Sequence, residues 1–308
     1  MESINKEIII PHPFKVIHAH VNRIYRVAFF PSNKFVSICN DHSIKIWDEN
    51  YQCIQNIVNA HDDIINYVTI KDENNFVTCS ADKSIRFWTK TKNNEFILIV
   101  KLLNAHKKNI GKIIYSDQRD IYITCSLDNS VKIWVKQNES YQCTTQLSHL
   151  SYVRALLIME DKNILVTSGW DGTRFWDLHY FHHLDFNKNV EAGFTGDTVA
   201  RIDEDKFVFG GTVEQVIKIF SFKKKKIIHE IQNDFEVFGI QTLNKYFLIC
   251  GWSNDFKVFR NDNFNCVQIV KDAHFDNIKG FNISNDKRYK LIVSYSYDGD
   301  IKFWAYNE

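Results

Sequence analysis

Five groups of residues in this 308-residue chain have the types that hydrolytic enzymes use. Each contains a His, a Ser or Thr, and an Asp: His20, Ser37 and Asp41; His61, Thr78 and Asp82; His106, Thr124 and Asp128; His149, Thr167 and Asp171; His274, Ser294 and Asp298. An imidazole held by a carboxylate can activate a hydroxyl for attack on a carbonyl. Two regularities point elsewhere. The hydroxyl always stands four residues before the Asp, and a Trp follows the Asp by five or six residues, at Trp47, Trp88, Trp134, Trp176 and Trp304. A nucleophile is needed once, whereas a structural device recurs in every repeat. Each group therefore reads as a buried hydrogen-bond relay: Asp accepts from the imidazole, the imidazole bonds the hydroxyl, and the hydroxyl receives the indole N–H. Every polar group then has the partner that burial demands. Each bond contributes about 0.5–1.5 kcal/mol net.

Other chemistry is sparse. The sequence holds no GxSxG, HExxH, P-loop or GxGxxG pattern. His179, His182 and His183 lie close together, but no acid or Cys completes a recognised metal spacing, so they read as a polar loop and no metal is expected. Lys223 to Lys226 form a basic run that can hold phosphate or an acidic partner; a solvated hairpin turn explains it as well and is the expectation. Seven cysteines, an odd number with no CxxC pair, read as small buried apolar residues in a reducing compartment, either cytoplasm or nucleus.

The elements that must position these groups follow from the pattern between them. Hydrophobic residues make up 44% of the chain, enough for a real core, and the net charge of +1 gives no global attraction to nucleic acid. No apolar run approaches the length of a membrane span, and Ile8 to Ile10 is too short for a signal-peptide core. Closing aromatics stand at Trp47, Trp88, Trp134, Trp176, Phe220, Phe259 and Trp304, at intervals of 39 to 46 residues. Between them lie short alternating runs rich in β-branched and aromatic residues, the signature of strands, separated by polar turns such as Lys71 to Asn75. Seven units fill the chain.

The Ala-His openings, the Ser/Thr-x-x-x-Asp turns and closings such as Lys45-Ile46-Trp47-Asp48 resemble the WD40 repeat family. The resemblance implies an all-β fold, a seven-bladed β-propeller with four-stranded antiparallel blades, as one domain over residues 1–308. Residues 7–17 are expected to supply the outer strand of the last blade and close the ring. Units five and six depart from the pattern. Unit five has Gly210 and Glu214 at the hydroxyl and Asp places with Phe220 for Trp, and unit six has Ile249, Ser253 and Phe259. Phe keeps the packing volume and drops the N–H.

The resemblance further implies that three positions per blade reach one end of the propeller, where partners bind. Two follow the opening His at its third and fifth places and one precedes the Asp. The expected partner-binding residues are Arg23, Tyr25, Tyr152, Arg154, Trp170, Asp197, Asp234, Glu236, Trp252, Lys279 and Tyr297. Blades two and three offer only plain groups, Ile64, Asn66, Ala81, Asn109, Gly111 and Leu127. The expected function is a non-catalytic scaffold, monomeric on its own, binding a protein or peptide with a basic side chain. Asp197, Asp234 or Glu236 would hold that side chain, stacked on Trp170 or Trp252. A ubiquitin-binding or substrate-receptor role in protein degradation is the alternative. No cofactor, catalytic residue, nucleic acid or membrane is expected.

Overall fold

Strands form where the alternating runs place them. The computed structural model describes residues 8, 10–184, 196–211, 215–284 and 291–306. It contains seven antiparallel sheets in chain order. Their inner strands are Ile24–Phe29, Ile65–Ile70, Ile110–Ser116, Val153–Met159, Thr198–Arg201, Val237–Thr242 and Ile278–Ile283. Each packs against the inner strands of the blades before and after it, and blade seven returns to blade one. The fold is a seven-bladed propeller. Its core lies between adjacent blades, where the fully buried second strands meet.

Six sheets have four strands. Blade four has three among the described residues, and a single bridge from Trp176 to His183 starts its outer edge. The basic run sits as expected, with Phe222 to Lys225 forming the exposed turn between the third and outer strands of blade five.

Ring closure is shorter than the expected 7–17. Among the described residues, Lys15–His18 is the strand that pairs with the last one, opposite Asp300 to Phe303. Pro11 and Pro13 lack the N–H groups that a longer ladder needs. Ahead of them the chain turns to blade six. Ile10 exchanges hydrogen bonds with the Gln268 side chain, its N–H donating at 2.9 Å and its carbonyl accepting at 2.8 Å. Ile8 donates to the Tyr246 hydroxyl at 3.2 Å.

All five relays are present. In blade two, Trp88 Nε1 donates to Thr78 Oγ1 at 3.0 Å, that hydroxyl meets His61 Nε2 at 2.8 Å, and His61 Nδ1 meets Asp82 at 2.9 Å. Blades three, four and seven repeat these contacts at 2.7–3.1 Å. A neutral imidazole, donating from Nδ1 and accepting at Nε2, satisfies every atom. Blade one is looser, with His20 Nδ1 3.9 Å from Asp41 and Asp41 33% exposed against 5% for Asp128. One difference lies two residues after the hydroxyl. Ser80, Ser126 and Ser296 stand there in blades two, three and seven, each accepting the amide of its blade's Asp. Blade one has Cys39 there. His20, Cys39 and Asp41 come within 4.8 Å of one another, the approach a metal site requires. The Nε2 of His20 is taken by Ser37, and burial pushes the Cys39 thiol up to about 12, so these groups read as a distorted relay.

Blades five and six keep the stacking and lose the relay. Phe247 and Phe259 stack at 5.1 Å, as Phe76 and Trp88 do at 5.8 Å. In blade five, Phe209 stands opposite Lys218, just as Thr78 stands opposite Arg86, so the hydroxyl place is Phe209 and not Gly210. The stretch from this place to the closing aromatic is one residue longer than in blade two. Glu214, read as the Asp place, lies outside the described residues.

Burial lowers the proton affinity of all five relay imidazoles, partly offset by their Asp partners. The five carboxyls sit below their usual range, because the relay hydrogen bonds outweigh the upward push of burial; Asp298 lies at about 2. Below about pH 6.5 the unfolded chain binds protons that the folded imidazoles refuse, and below about pH 4 the same holds for the carboxylates. Urea unfolding should therefore show stability that is nearly flat between about pH 7 and 8 and falls below pH 6.5, by up to about 1.4 kcal/mol per pH unit for each relay His. Thr78→Val strands a buried indole N–H and an imidazole nitrogen, so the same assay should show a loss of about 2–4 kcal/mol.

Candidate functional site

One end of the propeller is built by a repeated irregularity. In six of the seven inner strands the ladder to the second strand skips one residue: Tyr25, Asn66, Gly111, Arg154, Phe238 and Lys279. Such a bulge frees a side chain from the strand's alternation and re-aims it. These bulges bring side chains of different blades together at the mouth. The Lys279 ammonium lies 4.8 Å from the Phe238 ring centre and 5.7 Å from that of Tyr25. Asn66 donates to Asn109 at 2.6 Å and to the Ile110 carbonyl at 2.8 Å.

A second ring lies outside the first. The residue before each relay Asp, or its equivalent, donates its amide to the residue two before the bulge. The pairs are Asn40 to Arg23, Ala81 to Ile64, Leu127 to Asn109, Trp170 to Tyr152, Trp252 to Glu236, and Tyr297 to Asn277, at 2.9–3.1 Å. Gly169 and Gly251 stand just before the two tryptophans. A Cβ at Gly169 would lie 2.1 Å from the Tyr152 carbonyl, and one at Gly251 would lie 1.7 Å from that of Glu236. Only glycine permits this approach, and each turn then carries its Trp at the rim. Trp170 is 44% and Trp252 60% exposed, whereas the other five tryptophans are buried.

This repeated architecture agrees with comparison by sequence. The family described as WD domain, G-beta repeat matches residues 11–48, 51–89, 98–135 and 141–177. The chain belongs to the WD40 repeat family. The match covers blades that carry the relay, while blades five to seven are joined to it by structure. No curated protein sequence matches the chain significantly. WD40 propellers generally mediate protein–protein contact without catalysis. The five His, hydroxyl and Asp sets of this WD40 chain fit that pattern, since their hydroxyls are fully buried and already accept an indole N–H.

The mouth of this WD40 propeller is asymmetric. Blades two and three present the neutral groups expected of them. Across blades four to one, rings and cations interleave. Lys108 lies over Tyr152 at 5.4 Å, Tyr152 meets Trp170 at 5.3 Å, and Arg154 lies over Trp170 at 5.7 Å. Trp252 meets Phe238 at 5.5 Å, Tyr25 meets Tyr297 at 6.0 Å, and Arg23 lies over Tyr297 at 4.9 Å. Burial pushes the Tyr297 phenol up to about 12 and, together with the nearby Arg154, pulls the Lys279 amine down to about 8.

Most of the expected residues gather here, with one shift. In blade six the places assigned to Asp234 and Glu236 belong to Glu236 and Phe238. Asp234 lies on the loop before them, paired with Lys257. Phe238 escaped sequence reading because blade six has no opening His from which to count. The signal was Val237-Phe238-Gly239, which matches Ile278-Lys279-Gly280 of blade seven. Asp197 of blade five lies 3.7 Å from Arg154, and its blade companions Thr195 and Val213 lie outside the described residues. Three cysteines also differ from expectation: Cys53, Cys143 and Cys266 are exposed in outer strands, while the other four are buried.

The two rim tryptophans give a direct check. Acrylamide should quench only the fluorescence of Trp170 and Trp252, and the Trp170→Phe, Trp252→Phe double variant should lose most of that accessible fraction with its buried, blue-shifted emission intact.

Proposed function

We propose that this WD40 propeller is a non-catalytic docking platform that holds a protein or peptide segment at its mouth. The observation that carries this reading is the exposure of Trp170 and Trp252, two large rings that no relay or blade core requires. They stand on glycine-dependent turns beside Arg23, Tyr25, Tyr152, Arg154, Lys279 and Tyr297. Trp, Tyr and Arg are the usual anchors of interfaces. A rigid ring with little rearrangement on binding suits such a platform.

A basic side chain of the partner fits the rim of blade six. A 290 Å³ recess there is lined by Gln215, Asp234, Phe235, Glu236 and Trp252. Asp234 is already bonded to Lys257, and Asp197 lies beside Arg154, so Glu236 is the acid best placed to receive it. Trp252 supplies the ring face. The seven unpaired thiols support a reducing compartment, cytoplasm or nucleus.

The test compares partners recovered from the native cell by wild type, by Trp170→Ala, Trp252→Ala, and by Lys224→Glu in the turn at the other end. The Trp variant should fold normally and lose its partners, each anchor contributing about 2 kcal/mol or more, while Lys224→Glu keeps them. Titration with ubiquitin, followed by NMR, checks the degradation reading within the same scheme. Shifts confined to the mouth would support it, and an unchanged spectrum would remove ubiquitin.

A further inference from the structure

Lys279 stands out among the charged groups of the mouth. Its ammonium makes no hydrogen bond or ion pair among the described residues. It is held between the rings of Phe238 and Tyr25 and feels the positive charge of Arg154. The bulge of the blade-seven inner strand places it there. Three charges meet at this point: Lys279, Arg154 and Asp197, the last 3.7 Å from Arg154. Together they leave one positive charge in a setting walled by aromatic rings.

The axis below the mouth continues the same sign. Arg26, next to Tyr25, lies over the Tyr67 ring at 4.0 Å and donates to the Tyr295 hydroxyl at 3.4 Å, and its buried Nε has no hydrogen-bond partner. Lys112 lies over the same ring at 5.4 Å and donates to the Leu156 carbonyl at 3.0 Å. Neither cation pairs with a carboxylate among the described residues. In a chain of net charge +1 this is a local concentration of positive charge. A polar group partly removed from water favours any ligand that restores a charge-assisted hydrogen bond.

We infer that the propeller mouth selects a partner segment carrying an Asp or Glu, whose carboxylate enters between Phe238 and Tyr25 to meet Lys279 and Arg154. A single carboxylate balances the charge of Lys279 beside the Arg154–Asp197 pair, whereas a phosphate dianion would meet stronger repulsion from Asp197. This inference rests on the docking reading above and adds to it the chemistry of the central contact, distinct from the acidic recess at the blade-six rim.

The test passes a library of acetylated, amidated octapeptides with one fixed central residue over the immobilised full chain. Wild type should enrich Asp and Glu at the fixed position, and Lys279→Met or Arg154→Gln should reduce that preference roughly tenfold. Equal retention of neutral residues, or stronger retention of phosphoserine, overturns the inference. If the docking reading itself is wrong, retention will be indifferent to Trp252→Ala. If only the carboxylate site is wrong, retention will need Trp252 and show no acid preference. Should no peptide be retained, acetate decides. With lysine amines carrying ¹³C-methyl groups, acetate titrated at constant ionic strength should shift the Lys279 signal saturably and more than phosphate does. The absence of a saturable shift overturns the inference.

Discussion

The structure depends on hydrogen bonds that must be completed away from water. Each relay blade buries an imidazole and a hydroxyl and brings an indole N–H and a carboxylate to them. Any one of these left alone would cost more than its own hydrogen bond contributes. The chain resolves this with a fixed order of partners, Trp to Ser or Thr to His to Asp. That order ties the third strand, the second strand and the loop into the inner strand. It therefore sets both strand register and the height of the turn at the mouth. In blade one, where Cys39 stands two residues after the hydroxyl, the carboxylate lies farther from the imidazole and more exposed.

The relay frees the mouth for recognition. In the relay blades strand register is held from within, and the types of the bulge residue and of the residue before the Asp vary from blade to blade. Blades two and three use that freedom for Asn, Gly, Ala and Leu. Blades four, six, seven and one use it for aromatic rings and cations. The same freedom explains the two glycines before Trp170 and Trp252. Where blades two, three and seven place a Ser that bonds the turn, blades four and six place a Gly, where a Cβ would collide with the inner-strand carbonyl, and present a Trp.

Much of the fold was legible because its period is carried by bonded side chains. Four residue types at fixed offsets identified the strands, the turns and the end of the blade at which the Asp lies. Legibility ended where those side chains ended. Without an opening His, blade six could be counted only by loop length, so Asp234 and Glu236 were placed two residues early and Phe238 was overlooked. Without the hydroxyl, blade five was misaligned by one residue at Phe209. The N-terminal strand is expected over 7–17 because the last unit lacks a fourth strand, whereas Pro11 and Pro13 end the pairing at Lys15, and Ile8 and Ile10 pack on blade six. The interleaving of cations and rings was not legible at all. It follows from bulges that bring residues more than a hundred positions apart to one point.

The relays hold a frame with one decorated end. The most direct measurement of whether partners dock there places a photo-crosslinking phenylalanine analogue at Phe238, in the mouth, and separately at Lys224, in the turn at the opposite end, and irradiates the native cell. Discrete covalent adducts are expected from position 238 and none above background from position 224. Adducts from position 224 with position 238 silent would contradict docking at the mouth.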